Sequence, residues 1–179
     1  GSMLGPRIEQ AERACTIVRR ALKFPFVKMD VWGFQSTNAN VVEITRFDAG
    51  TEVLGEKVSP VSGGTPLPQA ITVAVNYLKQ FKDKTFLFVV TDGEPHFTNK
   101  DHQPYDVKSL KDSTHNAIRE ARASGIQVVC LGVSTGITDE SMIQMFGAPR
   151  HWRLVKDANL EQGLVDLVTS NFTSYLRGG

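Results

Sequence analysis

Residues 86–95, FLFVVTDGEP, constrain the fold of this chain more than any other stretch. The run from Phe86 to Val90 is wholly apolar, too short for a helix and too uniform for a strand with one solvent face. It predicts a central strand that is buried on both faces, as in a parallel sheet covered by helices. Asp92 then follows the carboxyl end of that strand, where open α/β sheets bind their ligands. Because Asp-Gly is also common turn chemistry, a plain turn at Asp92 and Gly93 is the alternative interpretation.

The rest of the chain alternates between helical and strand patterns. Helices are predicted at about residues 6–23, 66–81, 106–123, 138–146 and 159–176, and strands at about 26–34, 41–47, 126–133 and 152–155. The segment 41–47 alternates in polarity, which predicts an edge strand paired antiparallel to its predecessor. This order predicts an α/β fold: a three-layer α/β/α sandwich around a doubly wound, mostly parallel sheet with one antiparallel edge strand. We expect residues 1–179 to form a single domain, since no linker or repeat is visible.

Composition narrows the possible functions. The formal net charge is +1, which argues against a nucleic-acid-binding surface, and no apolar run approaches the ~20 residues of a membrane span. Cys15 and Cys130 fall in a predicted helix and a predicted buried strand, so we interpret them as small core residues rather than a disulfide or metal site. We therefore expect a cytoplasmic protein whose partners include neither nucleic acid nor a membrane.

A second segment of residues that favour turns and helix starts, GGTP at residues 63–66, lies at the start of the helix predicted from residue 66. Thr65 is a residue type favoured as a helix N-cap, and proline is favoured at the first helical position. The sequence therefore predicts Thr65 as the N-cap and Pro66 as the first residue of that helix.

Motifs for catalysis are missing from the sequence. It contains no phosphate-binding loop of the Walker type, no Gly-x-Ser-x-Gly elbow and no zinc-peptidase pattern. The four histidines, His96, His102, His115 and His151, have no spacing that suggests a zinc site, and we interpret them as surface residues. We therefore expect that the protein is not an enzyme. A small-ligand or phosphate enzyme that uses the same sheet edge is a remote alternative.

Two short motifs resemble a known family. Residues 64–66 (GTP) at the start of a helix and residues 91–93 (TDG) at the end of the next strand resemble the von Willebrand factor type A (VWA) domain. In that family these loops form the second and third parts of a metal-ion-dependent adhesion site (MIDAS), usually loaded with magnesium. The resemblance covers nearly the whole chain and implies that Thr65 and Asp92 ligate Mg²⁺, with Mn²⁺ and Ca²⁺ as alternatives.

The first part of that family's metal site is an Asp-x-Ser-x-Ser loop that follows the first central strand and commonly runs into Gly-Ser-Met. Residues 1–3 (GSM) match the end of this loop, so the resemblance implies Ser2 as a further metal ligand; a cloning remnant is the alternative origin of Ser2. The first central strand itself is missing from the sequence. Its loss would leave two half-sheets with unpaired backbone groups. We expect residues not shown, another chain or a neighbouring molecule to supply that strand.

The donor atoms of this set are all hard oxygens. Hydroxyls of Ser2 and Thr65 and the carboxylate of Asp92 suit magnesium, which keeps several of its waters. Without the upstream aspartate of the family's loop, we expect weak metal binding by this chain alone. Glu94 is interpreted as a solvated or loop-capping carboxylate rather than as a ligand.

The second half of the chain narrows the resemblance. Residues 91–95, 117–121 and 124–126 look like the C-terminal domain of the NorD and CbbO type, whose proteins are cytoplasmic partners of MoxR-class AAA+ ATPases; metal-chelatase subunits also fit. In the family an acidic side chain of the partner protein completes the metal site. The resemblance thus implies a metal-dependent protein-binding adaptor in such an assembly. The alternative is a structural scaffold domain with a degenerate, metal-free site.

Overall fold

The computed structural model describes residues 6–22, 27–36, 42–47, 64–98, 104–133, 136–155 and 160–177. The helices are α1 (Pro6–Ala21), α2 (Leu67–Leu78), α3 (Val107–Ala123), α4 (Asp139–Phe146) and α5 (Leu160–Arg177). The strands are β1 (Val31–Ser36), β2 (Val42–Phe47), β3 (Phe86–Thr91), β4 (Gln127–Gly132) and β5 (Trp152–Leu154). One short 3-10 helix, Pro149–His151, precedes β5. Ser2 lies outside the described residues.

Every predicted helix and strand is present, but several ends were predicted wrongly. The largest shift is in β1, which was predicted over residues 26–34 and is found at Val31–Ser36. Residues 27–30 are not in a strand, whereas Ser36 is the last strand residue rather than part of a turn. Helix α2 ends at Leu78 instead of near residue 81. The pattern therefore identifies the elements better than it identifies their limits.

Within the described residues the strands form two separate sheets. Strands β3, β4 and β5 are parallel and lie in that order, with Val89 opposite Cys130 and Cys130 opposite Trp152. Strands β1 and β2 form a separate antiparallel pair, in which Phe34 lies opposite Ile44, so the predicted antiparallel pairing is confirmed. Among the described residues no strand joins the two sheets. This division is the one expected of a doubly wound sheet without its middle strand.

Strand β4 is buried more completely than β3, although both contribute side chains to hydrophobic clusters on the two faces of the sheet. The side chains of β4 from Val128 to Leu131 are fully buried, whereas Phe86, Leu87 and Phe88 of β3 are only half-buried. The physical reason is position, because among the described residues β4 has a strand on either side while β3 pairs only with β4. The prediction of a strand covered on both faces at residues 86–90 is therefore confirmed, whereas among the described residues the central position belongs to β4.

Helices cover both faces of the three-stranded sheet. Successive residues of β4 point to opposite faces, as in any strand. One face belongs to a hydrophobic cluster with α2, α3 and α4, which contains Val128, Cys130, Ile71, Ile118 and Met145. The other face belongs to a cluster with α1 and α5, which contains Val129, Leu131, Ala14, Leu164 and Leu167. These layers confirm the three-layer α/β/α sandwich.

Candidate functional site

Gly64 and Thr65, which precede α2, lie between the end of β1 and the loop that follows β3. Gly64 forms an antiparallel bridge with Ser36, and Thr65 forms one with His96. The amide of Gly64 donates to Ser36 Oγ at 2.9 Å. The carbonyl oxygen of Thr65 accepts from the amides of His96 at 3.0 Å and Leu67 at 2.8 Å. This two-residue segment therefore connects the end of the two-stranded sheet with the loop of the three-stranded one.

The close approach at this junction requires glycine. A Cβ atom at Gly64 would overlap the carbonyl oxygen of His96 and would lie 3.0 Å from Ser36 Oγ. Backbone that overlaps in this way cannot move aside as the end of a flexible side chain can. The glycine at residue 64 is therefore a packing requirement of this junction.

Thr65 is not the N-cap of α2, which corrects the sequence prediction. The helix begins at Leu67, and the N-cap position is taken by Pro66, which has no side-chain cap hydrogen bond. Pro66 has a non-helical ψ of 57°, and Pro68 within the first turn has no N–H that needs an acceptor. The hydroxyl of Thr65 is thus not used for capping. Its side chain is buried, with 8% exposed.

Asp92 follows directly after β3 and is 4% exposed. The structure has a turn at this segment, in which Thr91 Oγ1 donates to the carbonyl of Gly93 at 3.1 Å and accepts from its amide at 3.4 Å. The ligand-binding interpretation of Asp92 stays a prediction. The carbonyl of Thr91 accepts from the amide of Val133 at 2.9 Å, which ties this point to the chain beyond β4. A buried carboxylate is stable only with hydrogen bonds or a cation nearby.

The structure brings the backbones of the two predicted ligand segments together. Thr65 is paired with His96, which is close in sequence to Asp92, and the side chains of Thr65 and Asp92 are both buried polar groups. The backbone segment of Thr65 therefore meets the segment that follows Asp92, beyond the carboxyl end of β3.

Glu94 is half-buried and hydrogen-bonded to side chains of two helices. Its Oε1 atom accepts from Lys111 Nζ of α3 at 2.8 Å and from Ser141 Oγ of α4. Burial alone would raise the pKa of Glu94, but the hydrogen bonds from Lys111 and Ser141 and the charge of Lys111 lower it overall. Of the two interpretations of Glu94, the loop-capping carboxylate agrees with these contacts better than the solvated one. Lys111 and Ser141 were missed, since they are distant in sequence and share no local pattern with Glu94.

An aromatic pair borders the same loop. The rings of Phe97 and Tyr105 are stacked with centroids 5.7 Å apart and an interplanar angle of 6°. The amide of Tyr105 donates to the carbonyl of Phe97 at 2.9 Å, and Phe97 is buried while Tyr105 is 46% exposed. No pattern in the sequence analysis indicated this pair. It presents an exposed aromatic ring on a segment that continues from His96.

Two histidines are less exposed than the sequence analysis assumed. His115 and His151 are half-buried, whereas His96 is exposed and His102 lies outside the described residues. Burial and the nearby guanidinium groups of Arg122 and Arg150 lower the pKa of His151 to about 4. His151 is therefore neutral in the folded protein at neutral pH.

A metal site made from acidic, histidine or cysteine side chains alone is not present in the part of the chain that the structure describes, where no three of them are grouped to hold an ion. The donor types at Thr65 and Asp92 nevertheless fit magnesium, which needs few protein oxygens because waters fill its other positions. Any ion here would depend on hydroxyl groups and water as well as on one carboxylate.

Comparison with protein families gives one match. The family model of the von Willebrand factor type A domain matches residues 17–169, a range that includes Thr65 and Asp92 but not Ser2. A search of curated proteins gives no match. Among the described residues, none of the helices has the length and apolar character needed to cross a membrane. With a match over most of its length, the chain belongs to the von Willebrand factor type A domain family.

Proposed function

We propose that this domain binds another protein through a divalent cation. Thr65 and Asp92 hold Mg²⁺ in this proposal, with Ser2 as the further ligand that the family resemblance implies, and Mn²⁺ and Ca²⁺ as alternatives. The observation that carries the proposal is the backbone pairing of Thr65 with His96, which brings the two ligand segments together. Family membership supports the same function, since VWA domains often mediate metal-dependent protein interactions.

The charges of the donor set explain why a partner would be acidic. Asp92 supplies the single carboxylate, and the hydroxyls of Thr65 and Ser2 are neutral. A divalent ion in this site would retain net positive charge and supply an electrophilic position for one more anionic ligand. An Asp or Glu side chain from a partner provides that ligand, while burial of Thr65 and Asp92 strengthens the attraction by excluding water.

The proposed assembly is a MoxR-type AAA+ ATPase or a metal-chelatase complex. The support is the resemblance of residues 91–95, 117–121 and 124–126 to domains of those proteins. The proposal also holds that the domain is not an enzyme and that it works in the cytoplasm. Neither Cys15 nor Cys130 is in a disulfide, which is compatible with a reducing compartment.

A structural scaffold with a degenerate site is the second candidate function. It is favoured by one observation, the lack of a three-residue acidic, histidine or cysteine cluster in the described part of the chain. In that case Thr65 and Asp92 have structural roles only, and magnesium has no effect on stability or binding.

Calorimetric titration of the metal-free protein with Mg²⁺ tests the first proposal. We expect binding by the parent protein and a loss of at least about tenfold in affinity for Asp92→Asn, since the ion loses its only charged protein ligand. Asp83→Asn is the matched control, because Asp83 is an exposed carboxylate before β3, at the other end of the strand. No binding by the parent, or equal binding by both variants, would favour the scaffold.

A second experiment tests the partner. The purified MoxR-type ATPase of the same organism should be retained by the immobilised domain in Mg²⁺ and released by a chelator. Asp92→Asn should abolish retention and Asp83→Asn should preserve it. Retention that survives both the chelator and Asp92→Asn contradicts the metal-dependent mode.

A further inference from the structure

We propose that Glu94, Lys111 and Ser141 form a clamp that positions the loop carrying Asp92. The clamp joins the end of β3 to α3 and α4, and two of its members, Lys111 and Ser141, lie outside the residues that carry the family resemblance. Its consequence for metal affinity rests on the proposed function, whereas its effect on the loop itself does not.

The clamp is a closed triangle of hydrogen bonds. Lys111 Nζ donates to Glu94 Oε1 and to Ser141 Oγ, each at 2.8 Å, and Ser141 Oγ donates to the same Glu94 oxygen. Ser141 is 4% exposed, and the side chains of Lys111 and Glu94 are 14% and 32% exposed. This partial burial strengthens the pairing relative to an ion pair in open solvent.

Thr138 fixes the orientation of the serine. Its hydroxyl donates to Ser141 Oγ at 3.1 Å and accepts from the Ser141 amide at 3.2 Å, which is the N-cap bond of α4. A hydroxyl has one hydrogen to donate and two lone pairs. Ser141 Oγ thus uses all three, with Glu94 as acceptor and with Lys111 and Thr138 as donors. A fully satisfied polar network of this kind specifies a single arrangement.

Asp92 lies between two fixed points. On one side Thr91 is hydrogen-bonded through its carbonyl to Val133, and on the other Glu94 is held by α3 and α4. Only Asp92 and Gly93 lie between these anchors, so the clamp restricts the backbone that orients the Asp92 carboxylate. Lys111 also neutralises Glu94, which keeps a second carboxylate from competing with Asp92 for a cation.

Hydrogen exchange of the metal-free protein tests the clamp directly. In Glu94→Ala we expect the amides of residues 92–94 to exchange about tenfold faster or more, while those of β4 do not change, because local opening is set by the local contacts. Glu94→Gln keeps an acceptor for Ser141 and should be intermediate. If Glu94→Ala does not fold, Lys111→Met provides the same comparison.

Gln144→Ala is the matched control. Gln144 Nε2 donates to Asp112 Oδ1 at 3.0 Å, which also joins α4 to α3 but does not reach the Asp92 loop. This variant should leave exchange at residues 92–94 unchanged. The clamp is refuted if Glu94→Ala leaves those rates unchanged or if Gln144→Ala raises them equally.

Magnesium titration of the same variants separates the clamp from the proposed function. If the parent binds Mg²⁺, Glu94→Ala should weaken binding about tenfold and Gln144→Ala should not; equal affinities for Glu94→Ala and the parent overturn the positioning role. A parent that binds no Mg²⁺ overturns the proposed function instead, and the exchange rates alone then decide whether the clamp exists.

Discussion

The two sheets of this domain differ in how they are stabilised. The sheet of β3, β4 and β5 is parallel, has helices on both faces and contains the fully buried strand β4. The sheet of β1 and β2 is a single antiparallel pair, and β1 is half-buried from Val31 to Gln35. A two-stranded sheet has little stability of its own. The first sheet is therefore the stable part of the fold, and the second depends on what it contacts.

The candidate site lies where these two parts meet. Asp92 belongs to the three-stranded sheet, which fixes it through β3 and the clamp. Thr65 follows Gly64, which is bonded to Ser36 at the end of the two-stranded sheet. The comparison implies that the geometry of the site depends on the weaker sheet as much as on the stronger one.

The largest expected effect is in the buried strand. Leu131→Ala should lower the free energy of unfolding by about 2–5 kcal/mol, because it leaves a cavity in β4. Leu87→Ala, at a half-buried position of β3, should cost less, about 1–2 kcal/mol. Urea denaturation measures both. Equal losses would contradict the ranking of the two strands.

The sequence predicts the elements of the stable sheet well and its order less well. The apolar run from Phe86 to Val90 identifies β3, but an edge strand and a central strand can share that composition when helices cover both faces. The strand order then depends on contacts between distant segments, and hydrophobic periodicity carries no information about such contacts.

The parts of the candidate site that lie in short sequence motifs can be predicted, whereas its contacts between distant residues cannot. Thr65 and Asp92 are recognisable from short motifs, whereas the contact of Lys111 with Glu94 spans 17 residues and that of Ser36 with Gly64 spans 28. The N-cap prediction for Thr65 fails because the preference of threonine for that position is weaker than the local arrangement of two prolines and the His96 pairing.

A second substitution tests the junction between the two sheets. Gly64→Ala should destabilise by about 1–3 kcal/mol, since the new methyl group overlaps the His96 carbonyl. Gly93→Ala is the control, because a Cβ there meets nothing within 4 Å. Thermal melts of both variants measure the difference. A neutral Gly64→Ala would mean that the two sheets are not held together here.

A smaller effect is expected at the end of β1. Ser36→Ala removes the acceptor of the Gly64 amide and should cost about 1–2 kcal/mol, since a half-buried N–H loses its hydrogen-bond acceptor. Ser113→Ala, at an exposed position of α3, should be close to neutral. Urea denaturation measures both variants. A Ser36→Ala protein as stable as the parent would show that the Ser36–Gly64 hydrogen bond does not stabilise the fold.

The smallest effect is a dependence on pH that originates beside the three-stranded sheet. His151 has its pKa lowered from 6.5 to about 4 in the folded state, so the unfolded chain binds the proton more readily. Its contribution to stability is complete above about pH 6.5 and is lost progressively as the pH falls towards 4. Solvent exposure of His151 keeps the loss small. The melting temperature of His151→Gln should fall less over this range than that of the parent, and parallel profiles would contradict the assignment.

Paramagnetic relaxation by Mn²⁺, as a substitute for Mg²⁺, tests the central claim most directly. If Thr65 and Asp92 hold one ion, substoichiometric Mn²⁺ should broaden the amide signals of Thr65, Leu67 and Gly93 together. The signals of Lys82 and Gly125, before the amino ends of β3 and β4, should stay sharp. Broadening confined to one of the two ligand segments, or centred elsewhere, would contradict a shared metal site, as would no broadening at all.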